Sequence, residues 1–367
     1  MSGQPITVAL IFGGRSAEHE ISLLSAASIF KAMSNPRYRV IPVLITHDGA
    51  WYRRPSDFSA FDAGKKVAEN ERLLFSPDPS HKGFLRLSEN GNVERMEVDV
   101  VFPVLHGTFG EDGTLQGLLD LANVPYVGCG VLASAVGMDK VMMKGAFRDS
   151  GLNVGPFFWF FRSEWEERSD TIIDKLKQSR FPVFVKPANL GSSVGITRVK
   201  DINGFRDAVD LAASYDRKIL VEDGIEGREL EVSVLGNDKA EASFPGEVVS
   251  HADFYDYEEK YHDNTAELIV PAKLSQDKIE EARKFAVTAF RAVDGSGLAR
   301  VDMFLTPNGT FIVNEINTLP GFTSISMYPK LWEVTGIGYA DLIDRLINLA
   351  LERHAEKQKM RTVRTKK

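Results

Sequence analysis

Short apolar runs alternate with longer amphipathic stretches along the first third of the chain. The runs Ile6–Phe12, Arg39–Ile45 and Val98–Leu105 predict buried strands. The stretch Glu18–Met33, which follows the first run, predicts a helix. Its expected buried stripe consists of Ile21, Leu24 and Ala27 or Ser28. Residues 53–97 are polar and irregular, so we interpret them as an insertion. A strand, a glycine turn and a helix in this order are typical of a doubly wound domain.

The alternation continues through the rest of the chain. Pro307-Asn308-Gly309 is a strong turn signal, so Leu298–Leu305 and Thr310–Ile316 predict a hairpin. Ser250–Glu267 is a long polar and aromatic stretch without a period, which is typical of a functional loop. The other predicted helices are Ala133–Ser150, Phe205–Tyr215 and Asp277–Val293. The other predicted strands are Pro182–Lys186, Val194–Val199, Lys218–Glu222 and the alternating segment around Leu230–Val234.

These elements divide the chain into three predicted units and a tail. We expect an α/β fold with an N-terminal doubly wound parallel-sheet domain over residues 1–128. A central α/β unit over residues 129–222 and a C-terminal unit over residues 223–352 follow. Residues 353–367 are basic and nearly free of large apolar side chains, which predicts a flexible tail.

The charge balance and the single cysteine exclude several classes of protein. The 51 acidic and 44 basic residues give a net charge of -7, which argues against non-specific nucleic-acid binding. Cys129 alone can form neither an internal disulfide nor a cysteine-based zinc cluster. No apolar run reaches the roughly 18 residues that span a bilayer, and the start of the chain lacks the pattern of a signal peptide. We therefore expect a cytoplasmic protein that binds neither membrane nor nucleic acid.

The predicted hairpin carries the most informative chemistry. Because strand side chains alternate between faces, Arg300 shares a face with Asp302, and Glu315 shares a face with Asn317. A two-residue turn at Asn308-Gly309 places Asp302 opposite Glu315. Two facing carboxylates repel each other unless a cation neutralises them, and carboxylate and amide oxygens suit Mg²⁺. A carboxylate pair neutralised by Arg300 on an exposed face is the alternative, and a three-residue loop would shift the register.

A glycine-serine loop after a predicted strand is a candidate phosphate site. Lys186 ends the strand, and Gly191-Ser192-Ser193-Val194-Gly195 follows. Backbone N–H groups of such a loop can bind phosphates, although an ordinary hairpin turn has the same composition. The loop also matches the G-x-S-x-G elbow of serine hydrolases, but that elbow requires a helix where a strand is predicted. Gly128–Ala133 resembles a dinucleotide fingerprint only weakly, because it follows a very short strand.

Two further segments suit ligand binding. Ile219–Glu222 predicts a strand that leads to Ile225 and Glu229, and its backbone and carboxylates could bind an adenine and a ribose. Asn317–Ser324 is a polar loop before a helix, where backbone N–H groups can bind oxyanions. Each segment alone is also compatible with a plain structural role.

The motifs together resemble the D-alanine–D-alanine ligases of the ATP-grasp superfamily. The resemblance runs from Ile6 to about Leu351 and keeps the order and spacing of the family motifs. The matching segments are GGRSAEHEIS from Gly13, LHGTFGEDGTLQG from Leu105, MDK from Met138, VKPANLGSSVG from Val185, FYDYEEKY from Phe254, ARVDM from Ala299 and NEINTLPGFTSIS from Asn314. This resemblance implies a two-part ATP-grasp fold over residues 129–352.

The resemblance also implies a role for each candidate residue. The residues implied for ATP are Lys140 and Lys186 at the phosphates, and Glu222, the Ile225 backbone and Glu229 at the adenosine. The residues implied for two Mg²⁺ ions are Asp302, Glu315 and Asn317. The residues implied for the first D-alanine and the reacting oxygen are Glu18, linked to Ser192 and Tyr261, together with Arg300 and the Gly321 N–H. The residues implied for the second substrate are His106, Lys260, Ser326 and the Met327 backbone.

The implied reaction is ATP-dependent formation of D-alanyl-D-alanine through an acyl phosphate, for peptidoglycan precursor synthesis. Tyr261 favours the dipeptide over a D-lactate ester, and Ser250–Glu267 is the expected lid that excludes water. Met327 replaces the leucine of many relatives, and Asp223 replaces a lysine of some. Mn²⁺ as a substitute ion, activation by a monovalent cation and a homodimer are further expectations. The open alternatives are a ligase that uses D-lactate or D-serine, a non-catalytic nucleotide sensor and a serine hydrolase at Ser193.

Overall fold

The computed structural model describes residues 4–64, 68–87, 92–249, 267–323 and 325–361. Within these residues the strands form three sheets of seven, four and six strands. The three sheets follow one another along the chain, in the order of the three predicted units. The boundaries of those units at residues 128 and 222 stay predictions. None of the helices that the structure describes combines the length and the apolar character that a membrane crossing requires.

The N-terminal sheet is parallel only in part. Strand β1 pairs in parallel with β2 on one side and β7 on the other, and the sheet continues from β2 through antiparallel β3, β4, β5 and β6. Its strands are β1 Ile6–Gly13, β2 Tyr38–Ile45, β3 Trp51–Arg53, β4 Arg72–Phe75, β5 Gly83–Leu87, β6 Val93–Glu97 and β7 Val100–Val104. The interpretation of residues 53–97 as an irregular insertion is therefore wrong. Strands β4, β5 and β6 have only four or five residues each, and β6 is largely exposed, so the segment lacks a long apolar pattern.

Helix α1 (His19–Ala32) buries a different face from the predicted one. Leu24 is 59% exposed, whereas Ser22 and Ser25 are fully buried. The Ser22 hydroxyl accepts a hydrogen bond from Gly13 N at 2.7 Å and donates one to the Val104 carbonyl. The prediction that Ile21 and Leu24 form the buried stripe was wrong. Serine side chains occupy the buried face instead, because Ser22 forms hydrogen bonds with backbone groups of the sheet.

The predicted helix Ala133–Ser150 consists of two helices in the structure. Asp139 has an extended backbone and divides the predicted helix Ala133–Ser150 into α3 (Val131–Met138) and α4 (Lys140–Asp149). Its carboxylate accepts hydrogen bonds from Val141 N and Met142 N at 3.1 Å each. The side chain therefore caps α4 in the manner of an N-cap aspartate. Helix α2 (Thr114–Leu121) precedes both.

The central sheet is antiparallel throughout, in the order β10-β9-β11-β8. Its strands are β8 Phe157–Phe161, β9 Val183–Pro187, β10 Thr197–Val199 and β11 Lys218–Asp223. Helices α5 (Arg162–Leu176) and α6 (Phe205–Tyr215) supply buried side chains to a core that covers one face of this sheet. The sequence analysis did not predict β8 or α5.

The C-terminal sheet has the order β15-β14-β12-β16-β17, with β13 paired to β12. Its strands are β12 Arg228–Gly236, β13 Glu241–Ala242, β14 Gly246–Val249, β15 Glu267–Ile269, β16 Gly297–Leu305 and β17 Phe311–Asn317. Its helices are α7 Gln276–Ala292, α8 Met327–Thr335 and α9 Tyr339–Gln358. Short 3-10 helices elsewhere in the chain are Phe58–Phe61, Glu69–Glu71, Pro79–His81 and Ile202–Gly204.

Helix α9 returns to the N-terminal sheet. Its residues Leu342, Leu346 and Ile347 belong to the same apolar core as β1 and α1. Arg353, within α9, donates hydrogen bonds to the Gly128 and Tyr126 carbonyls. The prediction of a flexible tail from residue 353 is therefore wrong for residues 353–358, which are helical. The basic composition there reflects pairing with backbone carbonyls and not only solvation.

Candidate active site

The β16–β17 hairpin carries a β-bulge. Arg300 pairs with Asn317 and Asp302 with Glu315, as predicted, whereas nearer the turn Met303 pairs with Val313. Asn314 is the extra residue that this shift of register leaves between the two pairs. The prediction assumed a two-residue turn, but the Thr306 N to Thr310 O hydrogen bond of 3.0 Å closes a three-residue loop. The three-residue loop shifts the register by one residue, and the bulge shifts it back by one. The predicted Asp302–Glu315 pair is therefore correct, although the prediction included neither the loop nor the bulge.

Arg300 contacts two of three carboxylates that lie on one face of the sheet. Its guanidinium donates two hydrogen bonds of 2.7 Å to Asp302 and forms a 3.1 Å ion pair with Glu231. Glu231 lies opposite Asp302 on β12, and Glu315 lies opposite Asp302 on β17. Burial lowers the pKa of Arg300, but Asp302 and Glu231 outweigh burial and raise that pKa well above its usual value. Arg300 therefore remains cationic and pairs with Asp302 on a largely buried face, whereas the alternative considered from the sequence was an exposed one.

The proposed metal ligands lie together on adjacent strands. Asp302 is 4% exposed, and Asn317 Oδ1 accepts a hydrogen bond from Leu319 N at 3.0 Å. Among the described residues no three His, Cys, Asp or Glu side chains are grouped closely enough to hold a metal ion. The candidate donor set is thus two facing carboxylates and one amide, which are oxygen donors of the type that Mg²⁺ prefers.

Three lysines lie near Glu222 and Glu315, where the central sheet meets the C-terminal sheet. Glu222 forms ion pairs of 2.6 Å with Lys144 and 2.5 Å with Lys186. Burial raises the pKa of Glu222, but the two ammonium groups outweigh burial and lower it to about 2. Lys140 lies 3.9 Å from Glu315, and burial lowers its pKa. Burial lowers the pKa of Lys186, but Glu222 outweighs it and raises that pKa. Three ammonium groups against two carboxylates leave one positive charge in excess.

A cavity of about 520 Å³ opens beside this cluster, between the central and the C-terminal sheet. Of the candidate residues it is lined by Lys140, Lys186, Ser192, Glu222, Ile225, Glu229 and Glu315. Ser192 and Ser193 have positive φ angles of 54° and 58°, so the glycine-serine loop turns in the left-handed region at two consecutive serines. The structure therefore brings together the candidate nucleotide residues and one candidate metal ligand.

The N-terminal domain contributes a second cluster. His106 is 4% exposed, and its Nδ1 lies 3.6 Å from Glu111 Oε1. Burial lowers the pKa of His106, but the neighbouring Glu111 outweighs burial, so the pKa of His106 is raised. The pKa of Glu111 is also raised, because its carboxylate is buried. Glu18 is close by, since a Cβ on Gly107 would lie 3.0 Å from its carboxylate oxygen. Glu18 and His106 thus lie together, whereas Ser192 lines the cavity.

The loop after β17 meets this cluster. Phe322 N donates to the Ser25 hydroxyl at 3.5 Å, and that hydroxyl lies 3.4 Å from His106 Nε2. A Cβ on Gly321 would lie 3.1 Å from Ser326 Oγ, so the two residues are neighbours. Ser326 immediately precedes α8, and Met327, its first residue, is buried. Lys260 and Tyr261, like most of the expected lid, lie outside the described residues.

Three charged residues near the site, among others, were not identified from the sequence: the buried Lys144 and Glu231 and the largely buried Glu111. Two of them carried a signal. Lys144 follows Lys140 by four residues and so shares its helix face. Glu231 follows Glu229 by two residues and so shares its strand face. Glu111 lies in a loop, where spacing gives no such indication.

The fold and the cavity define an ATP-grasp enzyme, because two sheets close on a cavity lined by lysines and carboxylates. Two family models match the chain, "D-ala D-ala ligase N-terminus" over residues 7–129 and "D-ala D-ala ligase C-terminus" over residues 146–348. The chain belongs to the D-alanine–D-alanine ligase family. It is therefore an ATP-dependent ligase.

Similar proteins cover the whole chain. A D-alanine–D-alanine ligase of Heliobacterium modesticaldum is 49% identical over 98% of both chains, and one of Bacillus pumilus is 45% identical over 97% of this chain and 99% of the other. The structure of the D-alanine–D-alanine ligase from Coxiella burnetii has a TM-score of 0.84 at 37% identity and covers 97% of both chains. The VanG D-Ala:D-Ser ligase from Enterococcus faecalis has a TM-score of 0.85 at 36% identity and covers 95% of this chain and 100% of its own.

Proposed function

We propose that this cavity and the adjoining clusters join two molecules of D-alanine at the expense of ATP, for peptidoglycan precursor synthesis. The observation that carries the proposal is the convergence of Lys140 and Lys186 with the facing carboxylates Asp302 and Glu315 beside one cavity. Phosphates require cations, and a divalent metal requires carboxylates, so one site supplies both. The names of the relatives and both family models support the same reaction.

ATP would bind between the central and the C-terminal sheet. Lys140 and Lys186 would contact the phosphates, and Glu222, the Ile225 backbone and Glu229 would contact the adenosine. The Lys186–Glu222 ion pair supports this proposal, because Lys186 can exchange one anionic partner for another. The glycine-serine loop at Ser192 would cover the phosphates with backbone N–H groups.

Asp302, Glu315 and Asn317 would hold Mg²⁺. The facing carboxylates fit the ion, since their mutual repulsion is relieved by a cation. When bound, the metal neutralises charge on the phosphoryl group that is transferred. We propose two such ions, with Mn²⁺ as a substitute and with activation by a monovalent cation.

The residues of the N-terminal domain would bind the amino acids. Glu18 would take the ammonium group of the first D-alanine and would be linked to Ser192 and Tyr261. A carboxylate oxygen of this D-alanine would attack the γ-phosphorus of ATP and release ADP. Arg300 is charged and oriented by its carboxylate partners, which supports a role at the developing oxyanion together with the Gly321 N–H.

The second D-alanine would then attack the acyl phosphate through its amine. His106, Lys260, Ser326 and the Met327 backbone would bind this substrate. The buried His106–Glu111 pair supports a histidine held in a fixed orientation. A new C–N bond forms as the C–O bond to phosphate breaks, and the amine loses its proton. The products are the dipeptide, ADP and phosphate.

A second candidate is a ligase that uses D-serine as its second substrate. The TM-score of 0.85 with the VanG D-Ala:D-Ser ligase favours testing it. The homodimer and the cytoplasmic location of this chain remain predictions.

Products measured by mass spectrometry separate these candidates. The purified protein is incubated with ATP, Mg²⁺ and D-alanine, alone or with an excess of D-serine, D-lactate or deuterium-labelled L-alanine. We expect D-alanyl-D-alanine to be the main product in every mixture. A mixed D-alanyl-D-serine or D-lactate product in excess would refute the proposed specificity, and no D-alanine-dependent product at all would refute the proposed reaction.

A further inference from the structure

Lys144 joins the two sheets that enclose the cavity. It lies on α4, one turn after Lys140, and its side chain is 3% exposed. Its ammonium contacts Glu222 Oε1 of the central sheet at 2.6 Å and donates to the Asn314 carbonyl of the C-terminal sheet at 2.9 Å. Lys144 is not among the described residues that line the cavity. One buried cation therefore holds both sheets from outside the cavity.

The Asn314 carbonyl belongs to the β-bulge. Asn314 is the extra residue of the bulge, because it has no partner on β16 between the pairs Asp302–Glu315 and Met303–Val313 in the strand register. The neighbouring residue Met143 of α4 also contacts this segment, since its Sδ accepts a hydrogen bond from Ile316 N at 3.3 Å. Two consecutive side chains of α4 thus bind backbone groups on either side of Glu315. A bulge needs such partners, because its extra residue lies outside the regular ladder.

Glu222 uses its two oxygens for two different lysines. Oε1 contacts Lys144, and Oε2 contacts Lys186, which lines the cavity. An anionic phosphate in the cavity competes with Glu222 for Lys186. Lys144 is shielded from the cavity, so it can continue to neutralise Glu222 after Lys186 has turned to the phosphate. Without Lys144, Glu222 would compete fully with the phosphate.

We propose that Lys144 is a positioning residue that prepares both halves of the nucleotide–metal site. It neutralises Glu222 so that Lys186 is available to phosphate, and it holds the bulge that places Glu315 opposite Asp302. The inference rests on the proposed function in one respect, namely that the cavity binds ATP.

The test measures binding and not turnover. Lys144→Met removes the charge and the donor, and Lys144→Gln removes the charge but keeps an N–H donor on a side chain that is one bond shorter. Lys278→Met is the matched control, because Lys278 donates to the Gly309 carbonyl at the turn of the same hairpin. Binding of the ATP analogue AMP-PNP is measured by calorimetry in the presence of EDTA. Binding of Mn²⁺ to the AMP-PNP complex is measured by electron paramagnetic resonance.

We expect Lys144→Met to weaken AMP-PNP binding and Mn²⁺ binding by about tenfold each, as outer-shell residues typically do. We expect Lys278→Met to stay within about twofold of the wild type. If Lys144→Met does not fold, AMP-PNP binding is measured with Lys144→Gln instead, and we again expect the affinity to fall about tenfold. Wild-type affinities in a folded Lys144 variant would overturn the inference alone and leave the lysine a structural role. A wild-type protein that binds no AMP-PNP would overturn the proposed function, and the inference with it.

Discussion

The replacement Glu222→Gln tests the charge balance of the cavity. The pKa of Glu222 falls from its ordinary value of 4.5 to about 2, because Lys144 and Lys186 outweigh the effect of burial. By proton linkage this difference corresponds to about 3 kcal/mol of folding stability at pH 7. Glutamine keeps the shape of the side chain but leaves two buried ammonium groups without their counterion. We therefore expect Glu222→Gln to lower the free energy of unfolding by about 3 kcal/mol at pH 7.

The dependence on pH follows from the direction of the shift. A carboxylate whose pKa is lower in the folded state stabilises the protein fully above its unfolded pKa. The contribution of Glu222 is therefore complete above about pH 5, and it declines as the pH falls from 4.5 toward 2. The difference between wild type and variant should shrink to less than half of its pH 7 value at pH 3.

Urea unfolding followed by tryptophan fluorescence at several pH values measures this difference. Glu281→Gln is the control, because Glu281 is 38% exposed and pairs with Lys278 on the surface. Such a pair contributes at most about 1 kcal/mol. A stability difference for Glu222→Gln that is the same at pH 7 and pH 3, or that is no larger than the control, would refute the reasoning.

Three further predictions concern turnover. Asp302→Asn should lower turnover on the order of 100-fold, because it removes the negative charge of a metal ligand, and should leave the protein folded, because asparagine still accepts a hydrogen bond from Arg300; near-normal steady-state turnover would contradict the metal assignment. Gly321→Ala should lower kcat/KM for D-alanine about tenfold, because its Cβ would lie 3.1 Å from Ser326 Oγ. Gly338→Ala is the control, because a Cβ at Gly338 has no neighbouring atom within 4 Å, and its kinetics should match the wild type. Equal kinetics of the Gly321 and Gly338 variants would contradict a role for Gly321. EDTA should abolish ADP release and added Mg²⁺ or Mn²⁺ should restore it; ADP release that persists in EDTA would show that no divalent ion is required.

Local patterns predicted the elements that position the site. The alternation in Leu298–Leu305 and the turn signal before Thr310 led to the correct hairpin and to the correct Asp302–Glu315 pair. The bulge at Asn314 was not predictable, because it is held by side chains of α4, which are distant in sequence. Tertiary contacts of this kind leave no signal in the periodicity of the strand itself.

Polar residues at buried positions explain most of the remaining differences between the structure and the prediction from the sequence. Ser22 is fully buried because the Gly13 and Val104 backbones bind it, and this shifts the buried face of α1 away from Leu24. Lys144 is buried because Glu222 and Asn314 lie around it. Pattern analysis assigns such residues to solvent, so it misses the charges on which the site depends.

We propose that this protein activates a D-alanine carboxylate by phosphorylation. The most direct measurement uses D-alanine that carries ¹⁸O in both carboxylate oxygens, with mass analysis of the inorganic phosphate released with the dipeptide. The carboxylate oxygen that attacks the γ-phosphorus leaves with the phosphate when the amine displaces it. The account predicts one ¹⁸O atom in the phosphate for each dipeptide formed. Unlabelled phosphate, released alongside the dipeptide, would contradict it.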